Sequence, residues 1–139
     1  GINKTKLRNL IHQDNRILKK IEKIVHPLVH KSRIDFMEIN KEVPIIIFDI
    51  PLLFEKNQEK IFDATLLVTA SEKTQRERAL LRGKLSKKDF ELIKKNQLSE
   101  QSKIIRADFV FNTDKSIEET EVEVKFLHKK ILNKEIEKK

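Results

Sequence analysis

Cysteine is absent from the chain, which excludes disulfides and thiolate metal sites and is compatible with a reducing compartment. Tryptophan and tyrosine are absent too, leaving eight phenylalanines as the whole aromatic complement. Most of these fall at core-like positions, so a base-stacking nucleic-acid surface has little to work with. Proline occurs three times and glycine twice, at Gly1 and Gly83. That scarcity argues against a turn-rich β protein or a low-complexity chain, and two glycines so far apart cannot build a glycine-rich loop that cradles phosphates. No apolar run approaches the roughly 20 residues of a membrane span, and no signal-peptide pattern stands at the start. The sequence opens on Gly1 instead of methionine, and it is expected to be incomplete at its N-terminus.

What is present is the length of one ordinary domain, 139 residues, of which 38% are hydrophobic and 37% charged. This is polar but enough for a core. The net charge of +8 suits a polyanionic ligand such as nucleotide phosphates or nucleic acid, although lysines scattered over every segment also describe a solvated surface. The stretch 43–55, Val-Pro-Ile-Ile-Ile-Phe-Asp-Ile-Pro-Leu-Leu-Phe-Glu, organises the rest. Its apolar run at 45–48 predicts a strand buried on both faces, as in a parallel sheet covered by helices. Asp49 brings a charge to the C-terminal end of that strand, where open α/β sheets place their ligands. Pro51 stops the strand, and Leu52, Leu53 and Phe54 set apolar bulk beside Glu55. The plain alternative is a buried strand, a turn proline and a solvated acid.

In order, Asn3 can cap a short helix through Ile11, and Asp14 or Asn15 starts another with Ile17, Leu18, Ile21, Ile24 and Val25 at helical spacing. His26-Pro27 is expected to interrupt it, because proline disfavours helical geometry in the residue before it. A third helix then runs to about Asn40. A loop with a short helix is expected at 56–62 and a second buried strand at 64–69. Ser71 caps a helix over 72–82, Ser86 with Asp89 starts one through Gln97, and Ser99 starts a short one. A third strand covers 109–112. Ser116 with Glu119 opens the last helix, whose core face would carry Val122, Phe126, Leu127 and Ile131, before a frayed tail at 133–139. Strands alternating with helices predict an α/β fold with a parallel sheet. Polar residues at the strand ends (Asp49, Thr69, Asn112, Thr113) mark a ligand-bearing edge.

Arg78 and Arg82 lie four apart and so on one face of their helix, with Gln75 close to the same face. Gly83 follows, then Lys84, Lys87 and Lys88. Two guanidinium forks beside a hinge suit a mobile clamp that offsets charge on a transferring phosphoryl group; a solvated helix face with Glu77 is the plain alternative. His26 stands alone, as packing and capping histidines do. His12, His30 and His128 show no spacing with acids that would build a metal site, and no Ser/His/Asp arrangement can be singled out.

The motifs His26-Pro27-Leu28-Val29, Asp49-Ile50-Pro51-Leu52-Leu53-Phe54-Glu55, Thr74-Gln75-Arg76-Glu77-Arg78 through Arg82, and Ala107-Asp108-Phe109-Val110 stand in this order over nearly the whole chain, with Gln97 after the expected lid helix. In these the sequence resembles the dephospho-CoA kinase family, which transfers the ATP γ-phosphate to the 3′-hydroxyl of dephospho-CoA. The resemblance implies an incomplete P-loop kinase-like fold over 1–139, with a helical substrate-side region at about 4–42 and a lid at about 83–106. The phosphate-loop strand and helix would be missing, and that strand would lie between those at 45–50 and 64–69. Implied cofactors are ATP and Mg2+. His26, Pro51, Leu52, Leu53 and Glu55 would serve dephospho-CoA; Arg78 and Arg82 would clamp phosphates and, with Thr113, bind ATP. Thr113 and Lys115 stand where the family has asparagine and glycine. No residue is assignable as general base, so the chain alone is expected to be inactive. The resemblance further implies a cytoplasmic monomer without nucleic-acid or membrane partners. Other readings are a different nucleoside or nucleotide kinase of the same fold, and a basic, non-catalytic nucleic-acid-binding remnant.

Overall fold

Asp14 sets the start of the longest element. Its carboxylate accepts the Arg16 backbone N–H at 2.8 Å and the Arg16 Nε–H at 3.0 Å, meeting a donor that a helix N-terminus otherwise leaves unpaired. The computed structural model describes residues 3, 6–7, 10, 14–83 and 86–135, in two units, Gly1–Ile46 and Ile47–Lys139. In the first unit, helix α1 spans Asn15–Ile39 and ends at Asn40, whose backbone N–H and Nδ2 both donate to the Phe36 carbonyl. Ahead of it, Asn3 Oδ1 accepts the Lys6 N–H at 2.9 Å, the cap expected there; most of the helix expected through Ile11 lies outside the described residues.

His26-Pro27 does not break α1, contrary to expectation, because Pro27 sits inside it. An internal proline removes one backbone bond and crowds the turn before it, costing roughly 3 kcal/mol. Apolar residues keep their helical spacing across it (Ile21, Val25, Leu28), and the hydrogen-bond ladder on either side carries the helix through.

The second correction concerns 45–50. This run is not a strand, and the two units meet inside it, between Ile46 and Ile47. An apolar run encodes burial, but a strand exists only through a neighbour's backbone bonds. Among the described residues nothing forms a ladder with 45–50, and Ile47 is 84% exposed.

In the second unit, strands β1 (Leu66–Thr69) and β2 (Phe109–Asn112) pair in parallel, with Leu66 opposite Phe109 and Thr69 opposite Asn112. β1 begins two residues later than the expected 64–69. Thr65 gives both its N–H (2.8 Å) and its hydroxyl (2.7 Å) to Asp108 Oδ2, and the Asp108 N–H returns to Thr65 Oγ1 at 3.1 Å. This reciprocal clasp fixes the strand starts before the ladder begins.

Helices α2 (Glu72–Leu81), α3 (Lys87–Lys95) and α4 (Glu100–Arg106) form the crossover, and α5 (Ile117–Leu132) follows β2. Their starts fall where the caps predict. Ser86/Asp89 and Ser116/Glu119 form complete capping boxes, and Ser71 and Ser99 each accept a first-turn N–H. α2 stops one residue short of the expected Arg82, where Gly83 takes φ +65° and donates its N–H to the Leu80 carbonyl, a left-handed closure that glycine allows. α3 stops two short of Gln97, where Asn96 Nδ2 caps the Leu92 carbonyl.

The core is thin: among the described residues Phe54, Ala70, Phe90, Ala107 and Leu127 are its buried apolar members. The strands are therefore not buried on both faces as expected, Val68 being 60% exposed. Of the core face expected on α5, Leu127 is buried, while Val122 and Phe126 are exposed. Two strands about 5 Å apart cannot cover a helix about 10 Å wide. The architecture is α/β with a small parallel sheet. Among the described residues no helix is long and apolar enough to cross a membrane.

Candidate phosphate-binding cleft

Because β1 and β2 are parallel, both end on the same edge, and hydrogen bonds stitch those ends together. The Thr113 N–H (2.8 Å) and hydroxyl (2.9 Å) both donate to the Thr69 carbonyl. One residue on, the Asp114 carboxylate accepts the Ser71 N–H at 2.7 Å and its hydroxyl at 3.1 Å. The Thr74 hydroxyl and then the Ser71 N–H hold the Asp114 carboxyl below its ordinary pKa. Asp114 thus anchors the start of α2 to the end of β2. One turn into α2, Gln75 Nε2 donates to the Ala70 carbonyl at 2.6 Å. A turn later, Arg78 donates through Nη1 to Thr113 Oγ1 (3.0 Å) and through Nη2 to the Thr113 carbonyl (2.7 Å).

Several of these groups border a cleft of about 360 Å³, lined also by the end of β1 from Leu67 into Ala70. Arg78 lines it from α2, Lys94 from α3 and Lys103 from α4, with Gln97 in the loop between the last two. Glu100 is the one carboxylate among the lining residues, so the lining is net positive. Two of the cations are aimed by acids behind them. Lys94 pairs with Glu72 at 2.5 Å and Lys103 with Glu55 at 2.7 Å. The Lys94 hydrogen bond lowers the Glu72 pKa. Burial pushes the Glu55 carboxyl up, but hydrogen bonds from Lys103 and from the Leu98 N–H outweigh it and leave Glu55 below its ordinary value. A second clasp stands beside the first: the Arg106 guanidinium donates to Glu59 and to Asn57 Oδ1 (2.9 Å) and lies over the Phe54 ring. The turn after Pro51 is therefore fastened to α4 by two ion pairs.

Of the residues singled out from sequence, the structure brings Arg78 and Thr113 into direct contact at the cleft. Thr113 spends its hydroxyl and carbonyl on Arg78, and Lys115 is tied to Glu123 of α5. Arg82 is the exposed C-cap of α2 and does not line the cleft. In the Pro51–Glu55 segment Pro51 and Leu52 are exposed, Leu53 is half-buried, Phe54 is buried, and Glu55 faces inward to Lys103. His26 belongs to α1 in the other unit and is exposed. Sequence reasoning passed over Lys94 and Lys103. For Lys94 no signal separated it from its neighbours. For Lys103 there was one: Glu55 and Glu59 lie four apart, Lys103 and Arg106 three apart, two complementary charge rows.

Among the described residues no three His, Cys, Asp or Glu side chains cluster to hold a metal ion. Magnesium wants oxygen donors, usually one or two carboxylates with waters and phosphate, and Glu100 stands alone among the cleft's cations. The described residues do not fit a protein-held magnesium ion, and no step below runs through one.

A parallel β–α–β crossover with a cationic cleft at the strands' C-terminal edge, where open α/β sheets bind their ligands, makes this an α/β protein and agrees with an incomplete P-loop kinase-like fold. The model of a family described as dephospho-CoA kinase matches residues 1–119, and the chain belongs to that family. Among its relatives are proteins named dephospho-CoA kinase from Bartonella henselae, 37% identical over 133 residues (94% of this chain, 68% of the relative), and from Jannaschia sp., 44% identical over 114 residues (82% and 58%). That of Novosphingobium aromaticivorans is 37% identical over 134 residues (96% and 67%). The chain spans between 57% and 68% of the length of eight of the curated relatives it matches.

Proposed function

We propose that this chain acts as part of a dephospho-CoA kinase, which uses ATP to phosphorylate the 3′-hydroxyl of dephospho-CoA and so makes coenzyme A. The observation that carries the reading is Arg78, held by Thr113 at the C-terminal edge of the sheet, with Lys94 and Lys103 in the same cleft. A phosphoryl group in transfer spreads negative charge over its equatorial oxygens, and catalysis consists mainly of positioning and neutralising that charge. A guanidinium held in place offers two parallel N–H donors to such a group, and it reorganises little when the charge develops. Arg82, one turn on and followed by Gly83, serves as the second clamp, and Thr113 positions the first at the ATP side. His26, Pro51, Leu52, Leu53 and Glu55 serve the dephospho-CoA side, Glu55 by holding its own turn in place.

With glycines only at Gly1 and Gly83, the chain has no phosphate-cradling loop, and none of its residues is assigned as the general base. Its residues therefore bind and neutralise, and do not initiate the chemistry. The same proposal has the protein working in the cytoplasm as a monomer, with magnesium accompanying ATP and with neither nucleic acid nor membrane as partner. The test is a substrate panel on the complete gene product that carries this chain. ADP release should depend on dephospho-CoA and be weak with adenosine or AMP. Turnover with a nucleoside or nucleotide but not with dephospho-CoA would transfer the reading to another kinase of the same fold.

A further inference from the structure

Glu55 ties three pieces of the second unit together. Its Oε1 accepts from the Lys103 ammonium at 2.7 Å and from the Leu98 N–H at 3.1 Å. One carboxylate oxygen from the turn after Pro51 thus holds both α4 and the loop that leads into it. The Glu55 and Lys103 side chains are only 12% and 14% exposed, and Glu55 Oε2 is buried without a protein hydrogen-bond partner. An ion pair kept this far from water with one oxygen unmet is a poor stabilising device, since apolar side chains of similar size often do as well or better. Lys103 has another property that stability does not need: it lines the cleft. An ammonium carries three donors on a flexible stem. It can therefore remain on Glu55 while turning another donor to an anion, or pass from one to the other.

We propose that Lys103 is a positioning residue which couples occupancy of the cleft to the turn at 51–57 through Glu55. This rests on the reading of the cleft as a phosphate site. A phosphate drawn in by Arg78 and Lys94 attracts the ammonium that Glu55 already holds. As Lys103 shares its charge with the phosphate, its pull on Glu55 Oε1 weakens, and the Leu98 N–H remains as that oxygen's donor. The turn carrying Leu52 and Leu53 then settles differently against α4. The second clasp, from Arg106 to Glu59 and Asn57, keeps the far end of the turn in place, so the turn shifts and does not unfold. By linkage, a ligand that fixes the turn changes phosphate affinity by the same factor that phosphate changes the affinity of the turn.

Amide hydrogen exchange at Leu98 and at 52–57 reads this directly, with inorganic pyrophosphate as the probe. In the unaltered chain, bound pyrophosphate should change exchange at these amides by about fivefold or more, the lower range of coupling between linked sites, while β2 amides stay as they were. Lys103→Met should abolish that response although pyrophosphate still binds through Arg78 and Lys94. Lys103→Arg keeps the charge and should keep the response, which guards against a methionine variant that fails to fold. Pyrophosphate binding without any change at Leu98 or the turn, or a response that survives in Lys103→Met, overturns the coupling and leaves the kinase reading intact. Failure of pyrophosphate to bind overturns both. A normal response in a complete protein that never phosphorylates dephospho-CoA overturns the kinase reading alone.

Discussion

Replacing Arg78 with alanine removes one guanidinium and nothing from the core, since its side chain is exposed and its two hydrogen bonds go to Thr113. In the free protein those two bonds are solvent-screened, so stability should change by less than about 0.5 kcal/mol, as for most surface substitutions. In the complex the balance differs. Each charge-assisted hydrogen bond to a phosphate oxygen is worth roughly 1.5–3 kcal/mol, and each 1.36 kcal/mol is a factor of ten in rate. Loss of one such bond in the transition state therefore predicts a fall in kcat/KM of about ten- to a hundredfold, and more if both donors engage. Arg78→Lys keeps the charge but not the fork and should recover only part of the loss. Thr113→Val removes the hydroxyl anchor but leaves the carbonyl, so its effect should be smaller than that of Arg78→Ala. The assay is coupled ADP release by the complete gene product with ATP and dephospho-CoA varied separately, beside thermal melts of each variant. A kcat/KM within about twofold of the parent for Arg78→Ala, where a lost bond demands tenfold, would sink the clamp and return Arg78 to a solvated helix face.

Other outcomes follow from the same contacts. Arg82→Ala, on the proposal that both arginines clamp, should also cut kcat/KM about ten- to a hundredfold with little change in melting temperature; unchanged kinetics would leave Arg78 to act alone. Asp108→Ala strands the N–H and hydroxyl of Thr65, which is 5% exposed, and should cost about 1–3 kcal/mol for each buried group left unpaired. An unfolding midpoint that did not move in urea would show that water reaches these groups. Glu55 and Glu59 have folded pKa values below the ordinary 4.5. The stability they contribute is present above that value and lost as pH falls through their lowered values. Melting temperature should thus drop on acidification below about pH 4.5, less steeply in Glu55→Gln, and a parallel slope in that variant would deny Glu55 its part. The 139-residue chain alone should show no turnover, because a two-glycine sequence supplies no phosphate-cradling loop. Phosphorylated product from the purified chain would contradict this.

Local devices were legible in the sequence and distant pairings were not. The serine caps at Ser71, Ser86, Ser99 and Ser116 close hydrogen bonds within three residues, so a short window contains all the physics. The same holds for Gly83, whose freedom at positive φ marks where α2 must end. The run at 45–50 shows the opposite case. Its composition reports a demand for burial, but whether that demand becomes a strand depends on a partner that no local window contains. Pro27 misled because a local rule was applied where the ladder on both sides outweighs it. At the site, the spacing of Arg78 and Arg82 placed a basic face on a helix, yet Arg78 is aimed by Thr113, 35 residues away.

Aim is the property that separates a site from a surface in this molecule. With 30 lysines and arginines in the chain, positive charge alone marks nothing, and most exposed ion pairs contribute little. Other cations, such as Arg106 and Lys115, are also held by a group from another segment; Arg78, Lys94 and Lys103 combine that hold with a shared cleft where both parallel strands end. A basic surface would keep its affinity for polyanions if Glu72 or Glu55 were neutralised, and would even gain from the lost negative charge. An aimed site should lose selectivity instead. Glu55→Gln and Glu72→Gln should therefore tighten nonspecific binding to a polyanion such as heparin while weakening discrimination between pyrophosphate and single phosphate. A parallel rise in affinity for all three would mean that the cations act only as a charged surface.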